Sequence, residues 1–521
     1  MREYLIPPAS NSIPKMKRPN IVQIVTDQQQ ADLIGALGKL PVRTPNLDRL
    51  CAEGTAFTRA YTPCPLCTPA RASLVTGQYP TRHGAWTIGT SLGDDSLSLP
   101  ALLGQAGYHT GIIGKSHLRS CHDPKSFEAL PHIRDWDFFK TWHGPWYGFD
   151  EAHISIGHSN EPHAYGMHYG LWLREQGIPP EPPYFALPDD PHNYRAIGTW
   201  ELPEELHSGV WIAEETEGFL KRHREARDGR PFYLSLNFPD PHLPFRVSQD
   251  WRSLYEDVAL PPPIRKTDES DGKPQLYRAT LDGSLNNRGW NDGFPVPNQY
   301  ADQQASVEWT PTEQEQWRLY LAMTSQLDAH VGRILDTLDA MDLTRETIVV
   351  FTSDHGDYMG HHWLWSKGGS HYDQAVRVPF IVRWPGQVPA GETSTALQSL
   401  LDLPSTFLTL AGLDPHPEMD GVDQSATWRK PGRPTRENLL IDHRVESGLH
   451  VHSLITDTHR LSVHRFADGS PEERELYELA DGTEFENLAG RDPSVEDGLR
   501  AELEAQVPVR REPWPPRTAG A

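Results

Sequence analysis

The sequence predicts an α/β fold: a large mixed, mostly parallel sheet sandwiched by helices, followed by a small C-terminal α+β unit with an antiparallel sheet. Three observations predict it. Short apolar runs recur along the chain, the mark of strands buried on both faces of a parallel sheet. Helical periodicity lies between them, as in alternating βα units. After about Gly421 the pattern changes to segments that read as antiparallel strands.

The elements follow in order. The opening "MREYLIPPASNSIPKMKRPN" holds no apolar stretch long enough for a signal peptide. Strands are predicted at "NIVQIV" (20–25), "TGIIG" (110–114), "FYLSLNF" (232–238), "TIVVF" (347–351) and "PFIVRW" (379–384), all read as parallel. A long helix is predicted from Thr312 to Met341, with Trp317, Tyr320, Leu327, Val331, Ile334 and Leu338 on one face. Residues 120–310 read as long Pro-, Trp- and His-rich loops over the sheet. Their aromatic content argues for order. "ENLLIDHR" (437–444) and "VHSLITDTHRLSVHRF" (451–466) read as the antiparallel strands, and a short helix is predicted near 495–505. This divides the chain into a main domain, 18–420, and a C-terminal subdomain, 421–521.

Composition excludes several function classes. A chain of 521 residues exceeds one ordinary core, and its 37% hydrophobic content can fill a large one. Seventy-one acidic residues against 48 basic ones give a formal charge of −23, which repels a polyanion and argues against nucleic-acid binding. No window approaches the roughly 20 apolar residues of a membrane span. Four cysteines in so long a chain fit a reducing cytoplasm.

The residues after each strand carry the chemistry. The first four runs lead into Thr26-Asp27-Gln28, Lys115-Ser116-His117, Asp240-Pro241-His242 and Ser353-Asp354-His355. Parallel α/β sheets gather ligands at the carboxyl ends of their strands, so these carboxylates, imidazoles and amine imply one polar pocket.

The stretch "YTPCPLCTPARASLVTG" (61–77) offers several readings: a redox pair, half of a zinc site, packed cysteines, or the precursor of a modified residue. A redox pair places its first cysteine at the helix start. Here Thr68 reads as the N-cap, Pro69 as the first turn and Gly77 as the stop, so the helix follows Cys67 instead. Zinc would need a second pair of ligands at matching spacing, and no second C-x-x-C exists. Cys67 is left at a helix N-terminus, which favours an anion or a nucleophile.

In its setting, "TPNLDRLCAEGTAFTRAYTPCPLCTPARASLVTGQYPTRHG" (44–84) resembles the signature region of the type I sulfatases of the alkaline phosphatase superfamily. Cys67-Thr68-Pro69-Ala70-Arg71 matches their C-x-P-x-R sequence. "IVTDQ" (24–28), "GKSHL" (114–118), "PHLP" (241–244), "TSDHG" (352–356), Lys367 and "ELYELADGTEFENLA" (475–489) match further landmarks in order. The resemblance spans nearly the whole chain and implies an alkaline phosphatase-like fold.

It also implies a mechanism. A formylglycine-generating enzyme would oxidise Cys67 to Cα-formylglycine, whose hydrate attacks a small-molecule sulfate ester with one hydroxyl and expels sulfate with the other. By resemblance Asp27, Gln28, Asp354, His355 and the modified Cys67 hold one divalent cation, Ca²⁺ first, with Mg²⁺ or Mn²⁺ as alternatives. Arg71 and Lys115 hold the hydrate, and Lys367 and His242 grip the sulfate. His117 is the base, and His242 or Lys367 protonates the departing alcohol. Many sulfatases carry an aspartate at the position of Gln28. An Asp-Gln pair occurs in phosphonate monoester hydrolases and related phosphodiesterases, the second enzymatic reading, although the intact "GKxH" pattern favours a sulfatase. A metal-containing binding protein with unmodified Cys67 is the reading from another class. Family members assemble as dimers or tetramers, which leaves a homo-oligomer open.

Overall fold

The structure, a computed structural model, describes residues 18–121, 123–156, 165–179, 197–281, 308–445, 448–509 and Arg517. Eight strands form the main sheet: β1 (Asn20–Thr26), β2 (Thr55–Phe57), β3 (His109–Lys115), β4 (Glu151–Ser155), β5 (Phe232–Asn237), β6 (Thr347–Ser353), β7 (Phe380–Arg383) and β8 (Glu392–Ser394). Their order is β8-β2-β7-β6-β1-β5-β3-β4. From β6 to β4 every pairing is parallel, with β1 between β6 and β5, Val25 opposite both Asn237 and Thr352.

Alternation along the central strands builds two cores. Ile21 and Val25 of β1, with Ile348 and Val350 of β6, face one side and meet helix α3 (Leu99–Gln105) and helix α6 (Leu403–Leu410). Val22, Ile24, Val349 and Phe351 face the other side. They meet helices α1 (Pro45–Glu53), α4 (Ser208–Ala226) and α5 (Pro311–Ala340) through Leu47, Leu50, Trp211, Phe219, Leu327 and Ile334. Each such aliphatic or aromatic side chain contributes about 1.5–3 kcal/mol when fully buried, which is why the apolar runs are wholly apolar. Helix α2 (Cys67–Thr76) lies between α1 and α3 in sequence.

The sheet is mixed because of β7. The run at 379–384 was expected to be parallel, yet β7 pairs antiparallel with both β6 and β2. An apolar run reports burial, not direction. The connection from β6 to β7 contains short helical turns and the two-residue strand Arg377–Val378, and doubles back instead of crossing the sheet.

The reading of 120–310 as loops also needs correction. That segment contains β4, β5, α4 and the helices Trp136–Thr141 and Met167–Glu175. Helix α4 escaped notice although Trp211, Ile212, Phe219 and Leu220 form a regular buried stripe. Trp136, Trp142, Trp146, Tyr147 and Tyr169 pack the region together. Ring centroids lie 5.0 Å apart for Phe127 and Trp142, 4.9 Å for Trp146 and Tyr147, 5.8 Å for Trp136 and Tyr165, and 5.5 Å for Tyr169 and Trp211. His153 and His168 belong to the same packing, while His158 and His163 lie outside the described residues.

Strands β9 (Asn438–Val445), β10 (Leu449–Thr456), β11 (His459–Phe466) and β12 (Glu473–Glu478) form an antiparallel meander, and helix α7 (Pro493–Gln506) covers one face through Leu503. The meander shares a core with the rest of the chain. Leu439, Ile441 and Ile455 pack on Tyr61, Val376 and Leu397. No helix among the described residues is long and apolar enough to cross a membrane.

Candidate active site

The carboxyl ends of β1, β5, β3 and β6 lie side by side and are tied together by backbone bonds. Asp27 N–H donates to the Asp240 carbonyl at 3.2 Å, and Asp354 N–H to the Thr26 carbonyl at 3.0 Å. The loop Tyr61–Leu66 brings α2 to the same place. Cys67 is the first residue of α2, not the residue before it, and Thr68 is not the cap; Leu66, in extended conformation, precedes the helix. Gly77 ends it with φ +68°, the left-handed conformation glycine adopts without cost. Cys64 and Cys67 are both buried free thiols.

One ligating atom from each of Asp27, Cys67, Asp354 and His355 lies within 4.8 Å of the others. Cys67 Sγ is 3.1 Å from His355 Nε2 and 3.7 Å from Asp27 Oδ1. His355 Nδ1 lies 2.8 Å from the Gly356 carbonyl, which can only accept, so Nδ1 carries the proton and Nε2 turns its lone pair to the cluster. Burial lowers the His355 pKa and keeps that imidazole neutral. The Asp27 carboxyl sits well below its ordinary range: burial opposes ionisation, but Lys115, Lys367 and Arg71 overcome it.

Gln28 completes the set. Its backbone N–H donates to Asp354 Oδ1 at 3.1 Å, its Nε2 donates to Asp357, and its Oε1 is buried with no hydrogen-bond partner among the described residues. A buried, orphaned amide oxygen on the residue that follows Asp27, together with two carboxylates and an imidazole lone pair, offers a donor set that fits an oxygen-seeking divalent cation. The residues therefore fit the group that the family motif implies.

Basic side chains surround these acids. Arg71 Nε lies 2.9 Å from Asp354 Oδ2 and Nη2 lies 3.1 Å from Asp27 Oδ2, while Nη1 reaches Asn237 Oδ1 at 3.2 Å and the Lys115 carbonyl at 3.3 Å. Lys115 Nζ is 2.6 Å from Asp27 Oδ2. Lys367 Nζ stands between Cys67 Sγ, at 2.7 Å, and His242 Nε2, at 2.8 Å. His117, with φ +52°, is buried, and its Nδ1 has no bond among the described residues. Burial, reinforced by Lys115, lowers its pKa far enough to leave it neutral. Burial and the Asp27 charge push the Cys67 thiol up to about 11, so an unmodified side chain here is neutral at pH 7 and a weak nucleophile.

All ten residues singled out in the sequence thus lie in or around one buried cluster. Two further residues join them. Asn237 is the last residue of β5, the same position that marked its neighbours, and Asp357 follows Asp354 by three residues in "DHGD".

Comparison with known proteins gives the family. The family model described as "Sulfatase" matches residues 19–413, and that of "N-sulphoglucosamine sulphohydrolase, C-terminal" matches 360–511. The chain is 28% identical over 483 residues to the "uncharacterized sulfatase YidJ" of Escherichia coli K12, covering 91% of this chain and 86% of the relative. It is 29% identical over 428 residues to the "multifunctional alkaline phosphatase superfamily protein PehA" of Trinickia caryophylli, covering 78% and 76%. In fold it resembles the phosphonate monoester hydrolase of Agrobacterium radiobacter, with a TM-score of 0.71 at 23% identity over 94% of this chain and 95% of that one.

Proposed function

Because the chain belongs to the sulfatase family of sulfuric ester hydrolases, we propose that it cleaves a small sulfate monoester at residue 67 after that cysteine has been converted to Cα-formylglycine. The observation that carries this reading is the placing of Cys67 at the start of α2, against Asp27 and His355 and within 2.7 Å of Lys367 Nζ. As a thiol it is held neutral by burial and the Asp27 charge, which does not suit a nucleophile. A formylglycine-generating enzyme is the maturation partner. The converted, hydrated side chain would supply one hydroxyl for attack and a second for release of the transferred group.

Asp27, Gln28, Asp354, His355 and residue 67 would hold one divalent cation, Ca²⁺ with Mg²⁺ or Mn²⁺ as alternatives, which would supply charge to acidify the nucleophile and draw electron density from the sulfuryl oxygens. Arg71 and Lys115 fix the orientation of those carboxylates. Lys367 and His242 are hydrogen-bonded to each other beside residue 67. There they bind the ester's oxygens and give a proton to the departing alcohol. His117, neutral and with a free ring nitrogen, accepts the proton when product leaves.

Hydrolysis of a phosphonate monoester or a phosphodiester is the second reading. The amide at position 28 favours it, because it removes one negative charge from the site. One experiment separates the readings. Intact-mass measurement establishes conversion of residue 67, and the converted protein is then assayed on matched aryl, sugar and alkyl sulfates, phosphates and phosphonates. Highest kcat/KM on a sulfate supports the first reading. Highest kcat/KM on a phosphonate supports the second, and a fully unconverted thiol in active protein removes both.

A further inference from the structure

We propose that Asp357 is a positioning residue that orients the side-chain amide of Gln28, fixing its oxygen as the atom offered to the cation. This inference rests on the cation site of the proposed function and adds to it the element that makes a neutral amide a dependable ligand.

An amide has the same shape after half a turn about its last bond, so its hydrogen-bond partners decide which end faces a cation. At Gln28 every other group is spoken for. The backbone N–H goes to Asp354 Oδ1 at 3.1 Å, and the backbone carbonyl accepts from Tyr320 Oη at 2.5 Å. The residue is held at φ +65°, a conformation a side-chain-bearing residue keeps only when its surroundings impose it. The side-chain Nε2 donates to Asp357 Oδ2, while Oε1 has no partner among the described residues.

Asp357 is itself built in. Its other carboxylate oxygen accepts from Met359 N–H at 2.8 Å, and its backbone carbonyl accepts from Gln30 Nε2 at 2.5 Å. A carboxylate so held presents only acceptors to Gln28. It therefore claims the NH₂ end and excludes the turned amide, which would set two oxygens against each other. Gln28 is fully buried and Asp357 is 1% exposed, so water does not compete for either.

The test uses chelator-stripped full-length protein titrated with Ca²⁺ and Mn²⁺ by calorimetry, with circular dichroism to verify folding. Asp357→Asn keeps the shape but presents an NH₂ to Gln28, so the amide turns. Cation affinity falls about 10- to 100-fold, the range seen when outer partners of metal ligands are lost. Adding Gln28→Glu to that variant restores the match: the carboxylate introduced at position 28 accepts with one oxygen from the amide introduced at position 357 and turns the other to the cation. Affinity returns to near wild type. Unchanged affinity in Asp357→Asn, or a charge-swapped pair that folds but binds no more tightly than Asp357→Asn, overturns the inference while leaving the cation site standing. A wild-type chain that takes up neither cation overturns both.

Discussion

Replacing Arg71 by lysine separates charge from geometry at the centre of the site. The guanidinium is 3% exposed and bonds four acceptors at once: the Asp354 and Asp27 carboxylates, Asn237 Oδ1 and the Lys115 carbonyl. Lysine keeps the positive charge but carries its donors on one atom and cannot span both carboxylates. At least one charge-assisted hydrogen bond is lost, worth about 1.5–3 kcal/mol, and at least one buried acceptor is left bare, costing about 1–3 kcal/mol more. Asn237 cannot turn to compensate, because its Nδ2 already donates to Ser235 Oγ at 2.9 Å. The expected loss is about 2.5–6 kcal/mol. A chain of 521 residues unfolds with an entropy of about 1 kcal/mol/K, so this corresponds to a melting temperature lower by about 2.5–6 °C. Scanning calorimetry in chelator, at one pH, measures it. A melting temperature equal to wild type would refute the claim that the fork of Arg71, rather than its charge, holds the two carboxylates.

Other perturbations bear on the rest of the site. Cys67→Ser and Asp354→Asn should each abolish turnover while circular dichroism stays native, and wild-type rates in either would remove that residue from the chemistry. Chelation should abolish activity and lower the melting temperature, with both restored by a divalent cation; at 100 times the dissociation constant the cation contributes about 2.7 kcal/mol. His117→Asn should slow kcat by about 10²- to 10⁴-fold without lowering the melting temperature, since the imidazole is assigned a proton-transfer role. Gly114→Ala should cost about 2–5 kcal/mol, because φ is +99° and the added methyl would lie 2.0 Å from the Asn237 carbonyl. Soluble yield and chemical denaturation would report that loss.

Much of this arrangement was legible in the chain because parallel strands announce themselves twice: by wholly apolar runs and by the polar residues that end them. Asp27, Lys115 and Asp354 were found in that way. Direction was not legible. The run at 379–384 is as apolar as its neighbours, and only the pairing with β6 and β2 reveals that it is reversed. Helix α4 was hidden for a different reason. Its stripe at Trp211, Ile212, Phe219 and Leu220 sits in a segment whose prolines and aromatic residues suggest loops. Asp357 could not be assigned because its partner, Gln28, is 329 residues away in sequence, and local spacing carries no trace of such a bond.

Several of the groups that enclose residue 67 are made late. His355 and Lys367 lie 288 and 300 residues downstream of it, and the Asp442 N–H that fastens to the Pro63 carbonyl lies farther still. A nascent polypeptide therefore leaves the thiol uncovered until translation has passed most of its length. The oxidation proposed for that sulfur would have this interval in which to occur, before the C-terminal meander packs on residues 61–64.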